Sequence, residues 1–295
     1  MQILFNSKFL HHNVGSEHEG PYRIEEFSKH CPDTEADGEE HIGLIHSKHY
    51  YDRIKKACMN SETLAEVHLT PESYEAAKTA IGLSILASQQ GDFAVVRPPG
   101  HHAGRDCNSG FCLFNNIAIA TQKLVNQGKK VLIIDIDAHH GNGTQDIFYD
   151  SDKVFFISFH QSFTFPFTGL PTETGTGQGK GFTLNFTFMP GSDDKVLLSS
   201  LDKAIEIARS FEPDFVGVSA GFDGYHLDKM MNFNFTLKAY YECGFRLGRA
   251  FKNIFAVLEG GYHNDIYQCV SHFVEGINVG SRPIKSSFDQ MMSIG

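Results

Sequence analysis

The chain has 295 residues, 41% of them hydrophobic, which is enough to bury one large core rather than two small ones. A formal net charge of -10 argues against binding the phosphate backbone of nucleic acid and suits a cationic substrate. No long apolar span, signal-peptide core or lipidation motif is visible, so a cytoplasmic protein off the membrane is expected, and nothing fixes its oligomeric state.

Taken in chain order, short apolar runs alternate with helical patterns, and no repeat or linker divides them, which predicts a single domain over residues 1–295. The first run is "FAVV" from Phe93, followed by "RPPGHHAG" with the adjacent histidines His101 and His102. Adjacent histidines can be a surface accident. Here they follow a strand and sit in a Pro-Pro-Gly turn, and imidazole exchanges protons near neutrality. The six cysteines, Cys31, Cys58, Cys107, Cys112, Cys243 and Cys269, form no Cys-x-x-Cys pair and read as reduced thiols.

The next run, "VLIIDIDAHHGNGTQ" over residues 131–145, opens with four apolar residues without alternation, as in a strand covered on both faces. Asp135, Asp137 and His139 follow at spacing two, so continued strand geometry points all three to one side. A capping cluster at the strand end would explain one aspartate, but Asp-x-Asp-x-His followed by His140 and Gly-Asn-Gly asks for more. Buried carboxylates need partners or a metal.

Further runs are "VFFISFH" from Val154, "DFVGVSA" from Asp214 and "IFAVLE" from Ile254. Between them, residues 193–211 place Val196, Leu197, Leu201, Ala204, Ile205 and Ala208 on one helical face. Alternating strands and helices predict an α/β fold, a parallel sheet with helices on both faces and the site at the carboxyl ends of the strands. The segments "RPPGHHAG", "DAHHGNG", "SFHQ", "SAGFDGYH" and "LEGGYH" would then share one rim. There Asp223 adds a carboxylate to Asp137 and His139, a set that suits one catalytic zinc or a similar divalent ion. A binuclear manganese site of arginase type needs a further carboxylate where this chain has His140, Gly141 and Asn142. Asp135 and Asn142 are the candidate partners for the paired histidines, and Tyr262 could donate to a developing oxyanion.

Together "RPPGHHAG", "GFCLFNN", "DIDAHHGNGTQ", "SFHQ", "SAGFD" and "LEGGY" resemble the zinc-dependent histone deacetylase and acetylpolyamine amidohydrolase superfamily, whose fold is the arginase/deacetylase type. The resemblance implies Asp137, His139 and Asp223 as zinc ligands, His101 and His102 as the acid–base pair and Tyr262 as transition-state donor. It implies a structural potassium ion near Asp135 and Ser158. It also implies a substrate channel walled by Gly110, Phe111 and Phe165, and an acetate-release cavity beside Arg23. Pro166-Phe167-Thr168-Gly169 stands where relatives often read Pro-Gly-Thr-Gly, which predicts a bulkier channel rim. Met230 occupies the position of the acidic gatekeeper of polyamine-specific relatives, which favours acyl-lysine in peptides or proteins over acetylpolyamines. Glu72 is a candidate replacement gatekeeper. The rival from another class is a non-catalytic acyl-lysine-binding module.

Overall fold

The computed structural model describes residues 1–283, so residues 284–295 of the expected single domain lie outside the described residues. In chain order the elements are β1 (Ile3–Leu4), α1 (Glu25–His30), α2 (Lys48–Met59), β2 (Thr63–Leu64), β3 (Val67–His68), α3 (Pro71–Gln90) and β4 (Phe93–Ala94). There follow α4 (Asn116–Val125), β5 (Val131–Asp135), α5 (Asn142–Phe148), β6 (Val154–Gln161), β7 (Thr183–Phe188) and α6 (Asp194–Arg209). Last come β8 (Phe215–Ala220), α7 (Leu237–Ala250), β9 (Ile254–Leu258) and α8 (Ile266–Gly280).

Seven strands form one sheet in the order β1-β4-β9-β8-β5-β6-β7, with every pairing parallel. Helices surround it, as the strand–helix alternation requires, because a parallel crossover needs a segment long enough to return. The interior strand β5 is buried at every position and pairs with β8 on one side and β6 on the other. Burial of its Val131, Leu132, Ile133 and Ile134 side chains stabilises the sheet by roughly 1.5–3 kcal/mol each. Helix α3 begins at a reciprocal Thr70–Ser73 cap with Pro71 in its first turn, and stops where Gly91 takes a left-handed φ of 77°.

Two small elements and one edge were not legible in the sequence. β1 spans two residues, β7 closes the far edge, and β2 and β3 form an antiparallel hairpin. Three expectations need correction. "SFHQ" is not a terminal loop, since β6 runs through Gln161. The β5 ladder stops at Asp135, so Asp137 and His139 project from bends rather than from a continued strand. On α6, capped by Asp193, the apolar face holds except at Val196, which is 37% exposed in the first turn. Among the described residues, no helix is long and apolar enough to cross a membrane.

Candidate active site

Four adjacent strands bring the chemistry together. His101 and His102 follow β4, Asp137 and His139 follow β5, Asp223 follows β8, and Tyr262 follows β9. In a parallel sheet these carboxyl ends lie on one rim, which is why residues as far apart in sequence as His101 and Tyr262 can converge.

Asp137, His139 and Asp223 are all buried, and one potential ligand atom from each lies within 4.8 Å of the others. Backbone donors fix both carboxylates. Asp137 accepts from the N–H of Gly260 at 2.7 Å and of His139 at 2.9 Å, and Asp223 accepts from Ala138 N–H at 2.7 Å. Gly260 permits this approach, because a Cβ there would stand 2.5 Å from Asp137 Oδ2 and 3.0 Å from Asp223 Oδ2. His139 Nδ1 lies 2.6 Å from Asp223 Oδ2 and 3.2 Å from Asp137 Oδ1.

Burial opposes charge on His139, but the Asp223 and Asp137 carboxylates outweigh it and raise its pKa to about 10. Burial and then the Asp137 charge push Asp223 upward as well, so without a cation this cluster favours bound protons. A divalent cation competes with those protons for the same lone pairs and neutralises both carboxylates. The donor set therefore fits a metal ion.

The two histidines are differently supported. His101 Nδ1 meets Asp135 Oδ2 at 3.0 Å, and burial is outweighed by Asp137 and Asp135, so its pKa rises to about 10. His102 Nδ1 meets the Asn142 side-chain oxygen at 2.8 Å. Burial, His101 and His139 together drive the His102 pKa well below the ordinary value. An amide oxygen only accepts, so His102 carries its proton on Nδ1 and keeps a free lone pair on Nε2. The rings stand 4.0 Å apart, and their opposite shifts favour charge on His101 and neutrality on His102.

Above them opens a cavity of ≈ 270 Å³ lined by Glu66, His102, Gly110, Phe111, His139, Phe165, Met230 and Tyr262. Gly110, at φ 53°, lies flat on the His102 ring, where a Cβ would come within 2.2 Å of Cδ2. Thus Gly110, Phe111, Phe165 and Met230 all line this cavity. Phe167 does not: it is 78% exposed and faces a neighbouring cavity, so the expected bulky channel rim is not what the extra phenyl ring makes. Ser158 lies beside Asp135 in register, with its hydroxyl on His160 Nδ1 at 2.9 Å. Arg23 sits behind the cavity with its guanidinium 4.9 Å from the Tyr262 ring centroid, and bonds to Glu19 and to the carbonyls of Gly261 and Glu259.

Three features escaped the sequence reading. Glu72 does not line the cavity, whereas Glu66, in the β2–β3 turn, does, and its carboxylate accepts from Phe111 N–H at 3.1 Å. Glu259 accepts from the N–H groups of Gly100 and His101 at 2.7 and 3.1 Å, and so fixes the histidine loop. It stood within "LEGGYH" and was readable there as a buried carboxylate. Glu19 forms a buried cluster with Arg97, both of whose bonds to the Glu19 carboxylate are 2.6 Å, and with Arg23 at 2.8 Å.

The Histone deacetylase domain family matches residues 15–277. The chain is 41% identical over 203 residues to a probable deacetylase of Archaeoglobus fulgidus, covering 64% of this chain and 56% of that protein. It is 38% identical over 208 residues to the acetylpolyamine amidohydrolase of Mycoplana ramosa, covering 67% and 61%. The crystal structure of the HDA15 HD domain superposes with a TM-score of 0.87 at 29% identity, covering 95% of this chain and 92% of that one. The alignments thus span less than two thirds of the length of these two curated relatives. Seven parallel strands, the rim they share and the family match agree: the chain belongs to the histone deacetylase family, which includes acetylpolyamine amidohydrolases.

Proposed function

We propose that the chain is a metal-dependent amidohydrolase that removes an acetyl or similar small acyl group from the side-chain amine of lysine in peptides or proteins. The observation that carries this reading is the buried cluster of Asp137, His139 and Asp223, whose His139 opens with His102 and Tyr262 onto one apolar cavity. Asp137, His139 and Asp223 would hold the ion, zinc by family resemblance, which when bound polarises a carbonyl and lowers the pKa of water to about 7. Asp135 and Ser158, buried side by side on β5 and β6, would flank the potassium ion the resemblance implies.

The residues divide the proton work. His102 presents its Nε2 lone pair to the cavity and accepts a proton from the attacking water. Charged His101 stabilises the negative charge that develops beside it and, through its contact with Asp135, keeps its orientation. Tyr262 donates to the carbonyl oxygen as the tetrahedral centre forms. His102 then passes its proton to the leaving nitrogen, the C–N bond breaks, and a free amine and a carboxylate result. Phe111, Phe165 and Met230 enclose the methylene chain and exclude water.

A second reading, hydrolysis of an acetylpolyamine, draws support from Glu66, a carboxylate at the cavity that suits an ammonium. Met230 at the same cavity favours the first. The test is kcat/KM for an acetyl-lysine peptide against acetylputrescine and acetylspermidine in one buffer. A peptide advantage is expected, and a polyamine advantage of about tenfold, or 1.4 kcal/mol, would reverse the choice. A purified, metal-loaded chain that binds acyl-lysine and hydrolyses neither class would establish the non-catalytic module instead.

A further inference from the structure

The loop 162–171 carries Phe165 into the catalytic cavity and turns other apolar side chains outward. Phe163 is 89% exposed, Phe167 78% and Leu170 60%. Clustered exposed apolar groups of this size mark an interaction surface more often than an ordinary one. With Gln161, Pro171 and Thr187 they line a second cavity of ≈ 330 Å³, whose lining contains no Asp, Glu, Lys or Arg.

This loop is held from beneath. His140 Nδ1 meets Thr168 Oγ1 at 2.7 Å, and His160 Nε2 meets the Gly169 carbonyl at 3.0 Å. Glu173 accepts from the N–H groups of Gly169 and Leu170 at 3.1 and 2.9 Å, and is itself held by Gln145 at 2.6 Å. Phe163 and Phe167 keep left-handed φ values of 60° and 63°, which bulky residues adopt only where their surroundings impose them. An apolar surface fixed in this way loses little conformational freedom when it is covered.

The loop borders both cavities, the first through Phe165. Phe165 lies two residues from Phe163 and two from Phe167, and its ring walls the catalytic cavity while theirs face the second. A lysine side chain filling the first cavity lays its own backbone across that rim, and each further residue advances about 3.3–3.6 Å. We propose that the second cavity is a subsite for a large apolar side chain one or two residues from the acylated lysine. The subsite rests on the hydrolase reading above and narrows it to peptide or protein segments with an apolar neighbour. A polyamine chain has no group for it, because its ammonium finds no carboxylate there.

The test compares acetyl-lysine peptides that differ only in having Phe or Leu, Gly, or Glu beside the lysine, with wild-type protein and the double variant F163S/F167S. A single-residue acetyl-lysine amide serves as the reference substrate. Wild-type protein should prefer Phe and Leu by about tenfold in kcat/KM, mainly through KM. The double variant should lose that preference while its rate on the reference amide stays within about twofold. No preference in wild-type protein, or a preference that survives the double variant, overturns the subsite. So does a wild-type dimer that the double variant dissociates while peptide selectivity stays flat, which would assign the surface to a second copy of the chain. Wild-type protein inert even toward the reference amide refutes the hydrolase reading itself.

Discussion

Replacing Gly260 by Ala tests the site with a single methyl group. The added Cβ would stand 2.5 Å from Asp137 Oδ2 and 3.0 Å from Asp223 Oδ2, where ordinary contact begins near 3.4 Å. One carboxylate or the backbone after β9 must therefore yield by about 1 Å, and the 2.7 Å bond from Gly260 N–H to Asp137 goes with it. Misplacement of that size costs on the order of 10²-fold in rate, or about 2.7 kcal/mol of transition-state stabilisation. Gly43→Ala is the control, since nothing lies within 4 Å of a Cβ there and its φ is not left-handed. The assay is kcat/KM on an acetyl-lysine peptide, with thermal unfolding and bound metal measured alongside. Gly260→Ala should lose activity or metal with its fold retained, and Gly43→Ala should match the wild type. Full activity and full metal content in Gly260→Ala would refute the placement of the ligand set against the β9 loop.

Three further outcomes are expected. Asp137→Ala and Asp223→Ala each remove one of three proposed ligands, so elemental analysis should find metal lost from both, and full occupancy would contradict the assignment. Tyr262→Phe should fold and bind metal normally while kcat falls by about 10²–10³, the usual loss for one oxyanion donor; unchanged turnover would make Tyr262 a packing residue. Glu19→Gln leaves the fully buried Arg97 and Arg23 without their carboxylate, so denaturant unfolding should show a loss of about 3–5 kcal/mol, and an unchanged midpoint would refute that role.

The legible parts of the fold were those whose signal is local. β5 reads as buried because four consecutive apolar residues need both faces covered, and α6 reads as a helix because one face repeats every three to four residues. The site was legible because its residues cluster at strand ends, so Asp135 and Asn142 stood out as candidate partners for the two histidines; which meets which, His101 with Asp135 and His102 with Asn142, shows only in the fold. What stayed hidden depends on partners far along the chain. Glu19 meets Arg97 from 78 residues away, and Phe111 N–H reaches Glu66 across 45 residues. β1 and the β2–β3 hairpin have two residues per strand, too few for any period to show. Phe167 was expected to thicken the channel rim because it stands where relatives often have glycine, but it has a left-handed φ and lines the next cavity.

The central claim is that the three converging side chains support amide hydrolysis through a bound ion. The direct measurement is release of free amine from an acetyl-lysine peptide by the purified chain, before chelation, after chelation and after zinc is restored. Turnover that disappears on chelation and returns with zinc is the predicted result. Turnover unaffected by complete removal of metal, or none on any acyl-amine after zinc is restored to a folded protein, would contradict it.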